Sequence, residues 1–216
     1  MAATQDRRQP RKRLSAPDRR AAILDAALEV FSGRGYHAAS IDEIAQEAGI
    51  SKALIYEHFP SKKDLHVSLL ERHVQEIFER LAESAATPDP GEVRLRAGVD
   101  AFLEWVETHP RAFRLVFRDN FETDVADVLM RLQQQATFAI AGLMASEPVK
   151  AHSDISEADR KLATETFAQQ LSGAVQSLAI WWQEHPEVKR AFVVDCVMDF
   201  CWLGLQRVRD GERVSR

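Results

Sequence analysis

Cysteine is almost missing from the 216 residues, with Cys196 and Cys201 as the two present. Helical spacing does not bring them to one side of their apolar segment. They are expected to be reduced, packed thiols, forming neither a disulfide nor a zinc site. Long apolar runs are missing too. No stretch approaches the roughly 18–20 uncharged residues of a membrane span, and the basic N-terminus lacks the apolar segment of a signal peptide. The expectation is a cytoplasmic chain with no membrane partner. Also absent are a glycine-rich phosphate loop, a GxSxG elbow, HExxH and paired Cys/His spacings, which argues against an enzyme and against any metal or cofactor. The seven histidines, His66 and His73 among them, lack the close spacing of a metal pair and are expected in packing or solvent contacts. No strand-type alternation and no internal repeat appear, so the expected fold class is all-α.

What is present begins with an uneven charge. The net charge is −5, yet residues 1–20 carry seven Arg or Lys against two Asp, a local +5 that leaves −10 for the rest. A basic arm on an acidic body suits a molecule that meets phosphate at one end, although such arms are also often solvated disorder. Residues 1–16 have little apolar content and are expected to form a flexible arm.

From Ala21 the pattern turns helical. Ala21, Ile23, Leu24, Ala27, Leu28 and Phe31 recur at three- and four-residue spacing, closed by Gly33 and Gly35. Ser40 and Glu43 form a capping box that opens a short helix with Ile41, Ile44 and Ala45 inward. Gly49 supplies a tight turn, Ile50 anchors it, and Ser51 caps a second short helix held by Ile55 and Phe59. That leaves Lys52, Ala53, Tyr56 and Glu57 outward, with His58 at the end. Helix, glycine turn and helix is the arrangement that places a second helix in the DNA major groove; the plainer alternative is a helical hairpin. Phe59-Pro60 ends this helix, and Ser61 with Asp64 restarts another. Lys62 and Lys63 in its first turn oppose the macrodipole, a placement that a nearby phosphate would favour. Tyr56 and Lys62 are expected at backbone phosphates. The DNA-facing set is thus Ser40, Ser51, Lys52, Ala53, Tyr56, Glu57, His58, Lys62 and Lys63.

The run GYHAASIDEIAQEAGISKALIYEHFPSKKDL, residues 35–65, resembles the DNA-binding domain of the TetR family. The resemblance implies a dimer of three-helix heads, each joined by a fourth helix to a ligand-binding and dimerisation domain. Ala53 stands where a glycine is common in that family and Leu54 where a small residue is usual, so the operator cannot be read from the chain. The expected divisions are an arm over 1–16, a helix-turn-helix domain over 17–64 and an effector-binding and dimerisation domain over 65–210.

Beyond Leu65 the spacing predicts helices over about 61–84, from Val99 to before His109, 111–118, 121–145, 156–182 and 186–208, with Pro186 at a first helical position. The last is apolar on more than one face, which calls for a partner; Gly173 and Gly204 suit close helix approach in a two-fold interface. Phe102, Trp105, Phe113, Phe117, Phe121, Met130 and Phe138 are the expected lining of an apolar effector site. The run over 104–121, EWVETHPRAFRLVFRDNF, is similar to family members that sense long acyl chains. It implies an acyl-CoA or fatty acid effector, with Arg111, Arg114 and Arg118 available to a phosphate-bearing headgroup. The functional expectation is a homodimeric transcription regulator of double-stranded operator DNA, a repressor released by a small apolar effector. The alternatives are a ligand-dependent activator and an architectural DNA-binding protein without an effector.

Overall fold

A computed structural model describes residues 15–118 and 156–209, and between them positions 127, 130, 131, 134, 135, 137, 140 and 141. Among the described residues there are eight bounded helices and no strand: α1 (Ala16–Arg34), α2 (Ile41–Ala48), α3 (Lys52–His58), α4 (Lys62–Ala85), α5 (Gly91–Thr108), α6 (Pro110–Phe117), α7 (Glu157–Gln183) and α8 (Arg190–Arg209). No helix among these residues is long and apolar enough to cross a membrane. The chain divides into two compact units, residues 1–65 and 66–216. The helix expected over 121–145 lies largely outside the described residues; its described positions from 127 to 141 are helical.

In the first unit, local chemistry sets each boundary. Ser15 caps α1, accepting from the Asp18 N–H, and Gly35 at φ 78° ends it with its N–H on the Phe31 carbonyl at 2.8 Å. Gly33 therefore falls inside the last turn of the helix, and Gly35 alone supplies the stop. Ile23, Leu24, Ala27 and Phe31 are buried with Ile41, Ile44 and Ala45 of α2 and with Ile55 and Phe59. Ala21, expected on the apolar stripe, is exposed, and Ala26 is buried instead.

In the second unit α5 packs against α6, α7 and α8. Its face of Val99, Phe102, Leu103, Trp105 and Val106 is buried, as are Val193, Val194, Val197 and Met198 of α8. Arg190 at the start of α8 donates to Asp100 at 2.9 Å and to Glu107 at 2.7 Å, fixing that end to α5. Pro186 does not open this helix. The Trp182 indole donates to the Val188 carbonyl at 2.7 Å and the Val188 N–H to the His185 carbonyl at 3.0 Å, so the chain stays in a turn until Arg190.

α8 is apolar on two faces, as its composition required. Opposite the buried valines, Phe192, Cys196, Phe200 and Leu203 repeat at helical spacing and are exposed, Phe200 to 78%. Cys196 is thus a free thiol but not a packed one, while Cys201 is half-buried and burial pushes its thiol pKa up.

Candidate nucleic-acid interface and effector domain

The turn between α2 and α3 decides which way α3 faces. The capping box at its entry is complete: the Ser40 N–H donates to Glu43 at 2.9 Å and the Glu43 N–H to the Ser40 hydroxyl at 3.2 Å. The Ser40 hydroxyl also donates to the Glu43 carboxyl at 2.9 Å, and this bond first, with that from the Ser40 N–H, holds the carboxyl below its usual range, the Arg34 charge adding to the effect. Gly49, at φ 65° and ψ 33°, takes the left-handed conformation that lets the chain reverse, and the Ile50 N–H returns to the Ala45 carbonyl at 3.0 Å. Ser51 then caps α3 through the Leu54 N–H. Ile55 and Phe59 are buried, so Lys52, Ala53, Tyr56 and Glu57 project outward and are exposed, with His58 half-buried beside them. Ser40 and Ser51 are at the helix starts, their hydroxyls already engaged as caps.

Two of the cations have partners within the head. The Lys52 ammonium lies 2.8 Å from Asp42, and that hydrogen bond raises its pKa. Lys62, expected as a solvent cation facing phosphate, instead donates to the Ala39 carbonyl at 2.8 Å and the His37 carbonyl at 3.2 Å, and its ammonium sits 4.6 Å from the Tyr36 ring centroid. It ties the start of α4 to the loop before α2. This explains its position in the first turn without invoking phosphate. Lys63 is exposed. Arg20, not singled out in the sequence, stacks over Phe59 at 4.8 Å, where the basic run borders the end of α3.

In the second unit, the structure brings three of the seven aromatic and Met positions into mutual ring contact. Phe102 stands edge-on to Phe113 at 6.3 Å and to Phe117 at 6.0 Å, and Phe113 meets Phe117 at 5.1 Å. Trp105, fully buried one helical turn from Phe102, stacks on His109 at 5.5 Å. Met130 is exposed and does not join them, and Phe121 and Phe138 lie outside the described residues. Arg118 pairs with Glu184 at 2.8 Å, whereas Arg111 and Arg114 are on exposed positions of α6.

A polar group that the sequence gave no reason to select adjoins Trp105. His73 Nδ1 lies 3.0 Å from Glu76 Oε2, and the Trp105 indole donates to the same oxygen at 3.4 Å. Burial pushes the His73 pKa down against the opposing pull of Glu76, so the ring is neutral near pH 7. Burial tends to raise the Glu76 pKa, but the His73 and Trp105 hydrogen bonds and the Arg72 charge outweigh it and keep the carboxyl ionised. His66 is likewise fully buried, so neither histidine of α4 is a solvent contact. The signal for this pair was a His and a Glu three apart on a helix, a spacing that also fits a surface pair.

The comparisons agree with this arrangement at both ends of the chain. Residues 23–69 match the model for bacterial regulatory proteins of the tetR family, and residues 91–204 match that for a tetracyclin repressor-like C-terminal domain. The HTH-type transcriptional activator FasR of Mycolicibacterium smegmatis is 33% identical over 199 residues, covering 91% of this chain and 87% of that protein. A TetR-like transcriptional regulator from Rhodococcus sp. RHA1 superposes with TM-score 0.73 at 26% identity, over 90% of this chain and 99% of that one. The transcriptional regulator FadR of Bacillus subtilis, solved in complex with stearoyl-CoA, shares the fold with TM-score 0.71 at 17% identity, over 84% of this chain and 96% of that one. With its glycine-turned helix pair in the first unit and a family-matched helical domain in the second, the chain belongs to the TetR family of bacterial regulatory proteins.

Proposed function

We propose that this chain is a homodimeric regulator that reads operator DNA through α3 and whose DNA affinity is set by a long-chain acyl effector, an acyl-CoA or a fatty acid, bound in the second unit. The observation that carries the DNA half is the outward face of α3, with Lys52, Ala53, Tyr56 and Glu57 exposed on a short helix that follows a left-handed glycine turn. Tyr56 supplies a phosphate-directed hydroxyl, and Lys63 a cation at the start of α4. Lys62 contributes chiefly by positioning, since two of its three N–H donors already serve carbonyls. The effector half is supported by the Phe102, Phe113 and Phe117 cluster and by the shared fold with a protein solved with stearoyl-CoA. Dimerisation is supported by the exposed ridge of Phe192, Phe200 and Leu203, three large apolar side chains along one face of α8.

Operator fragments selected from the genome and random duplexes, titrated by anisotropy at two salt concentrations, test this reading. Sequence-selective binding that falls on addition of hexadecanoyl-CoA is expected; equal affinity for both duplexes would leave only an architectural binder. The name of the M. smegmatis relative favours a second reading in which the bound regulator activates. Run-off transcription with the selected operator separates the two, since release of a repressor raises transcript and release of an activator lowers it.

A further inference from the structure

His73 is 3% exposed, and its Nε2 is buried with no hydrogen-bond partner among the described residues. Its other nitrogen is fully accounted for. Glu76 is an ionised carboxylate, which only accepts, so the bond at 3.0 Å places the ring proton on Nδ1. The neutral ring then keeps a lone pair on Nε2, directed away from Glu76. Buried acceptors of this kind are rarely left unsatisfied.

The surroundings distinguish it from a packing histidine. Glu76 Oε2 takes both His73 and the Trp105 indole, so residues of α4 and α5 jointly fix the ring. Trp105 is in turn stacked on His109. One turn along α5, Phe102 meets Phe113 and Phe117 edge-on. The groups whose charge reaches the imidazole are Glu76 and Arg72 of α4 and His109 at the end of α5. The His73 ring lies 6.1 Å from the Trp105 ring, and a fixed polar atom beside buried aromatic side chains is the composition of a small-molecule site.

We propose that His73 is the polar recognition point of the effector site, its Nε2 accepting a hydrogen bond from an O–H or N–H of an elongated apolar ligand. The proposal rests on the effector reading above and deepens it. Two sources carry that donor: the hydroxyl or undissociated carboxyl end of a free fatty molecule, and an amide N–H of a thioester carrier. A ligand whose polar end only accepts meets a lone pair and is rejected, since selectivity of this kind arises when a buried group is left unpaired.

The full-length protein is titrated calorimetrically with hexadecan-1-ol, its methyl ether, hexadecanoic acid and hexadecanoyl-CoA. The alcohol is expected to bind about tenfold more tightly than the ether, and His73→Phe to abolish that difference while His73→Gln, which retains an acceptor, restores part of it. A tenfold loss on His73→Phe for the acid alone assigns the carboxyl source, and for the thioester alone the amide source. Equal binding of alcohol and ether by the wild type overturns the role of His73 and leaves the effector reading standing, whereas binding of none of the four overturns both. Should His73→Phe fail to fold, nitrogen NMR of histidine-labelled wild type decides. The unprotonated Nε2 resonance is expected to move upfield on adding the alcohol and to stay in place with the ether, and no movement with the alcohol overturns the proposal.

Discussion

The two units differ in the reach of most of their side-chain bonds, although Lys62 in the first also bonds carbonyls more than twenty residues away and Ser156 in the second caps α7 through Asp159. In the first, Ser15, Ser40 and Ser51 each bond a residue three positions on, closing the start of their own helix. In the second, polar bonds join distant stretches: Arg80 reaches Glu104, Trp105 reaches Glu76, Arg190 reaches Asp100 and Arg96 reaches Asp195 across 99 residues. Short-range caps specify a rigid shape helix by helix, which suits a head that must present α3 in one orientation. The long-range ties join α4 to α5 and α5 to α8. The proposed effector response needs such links, because a ligand shifts an equilibrium only by binding one arrangement better than another.

Removing the central tie of the second unit should have the largest effect. Trp105→Ala is expected to cost about 3–5 kcal/mol through lost packing, with Glu76 also losing a donor. Denaturant unfolding with hydrogen exchange on α2 and α3 checks this: lost stability with protection in the head retained keeps the contrast, and equal loss in both removes it. Gly49→Ala should follow at about 1–2 kcal/mol, because φ 65° is unfavourable for a residue with a Cβ and nothing lies within 4 Å of that one added carbon, so strain alone is the cause. Its unfolding midpoint should drop, and an unchanged midpoint would mean that the turn is not fixed locally. Ser40→Ala removes one side of a complete capping box and should cost about 1 kcal/mol, read from the same unfolding curves.

Acidification should act mainly on the second unit, and with the smallest effect. His73 binds its proton less readily when folded than when unfolded, so its contribution is present above the usual imidazole range, near pH 6.5, and is lost as pH falls. Glu76, whose pKa is also lowered by folding, loses its contribution in the same direction at lower pH. Thermal melts between pH 7 and 5 should show a decline that His73→Gln reduces; an identical decline in both would assign it elsewhere.

The head was legible because its determinants are neighbours in sequence. Ser40 with Glu43, Gly49, Ser51 and Phe59-Pro60 name the helix ends, and the apolar spacing names the buried side. Lys62 shows where that reading stops. A cation in that first turn opposes the macrodipole, but the acceptors that accommodate it, the carbonyls of His37 and Ala39, lie more than twenty residues earlier. Pro186 failed for a similar reason: its ring suits a helix start, yet the bond from Trp182 to Val188 keeps that stretch in a turn. The aromatic residues of α5 and α6 announced a cluster, but composition could not say that Met130 stands outside it, nor that His73 turns inward. Long-range packing decides both.

On the proposed reading the second unit controls DNA binding by α3, and α4 has residues in both units. Coupling between two ligands is reciprocal, so calorimetry of hexadecanoyl-CoA with and without saturating selected operator tests it most directly. The account predicts that operator weakens effector binding by the same factor by which effector weakens operator binding. Equal effector affinity in the two titrations would contradict it.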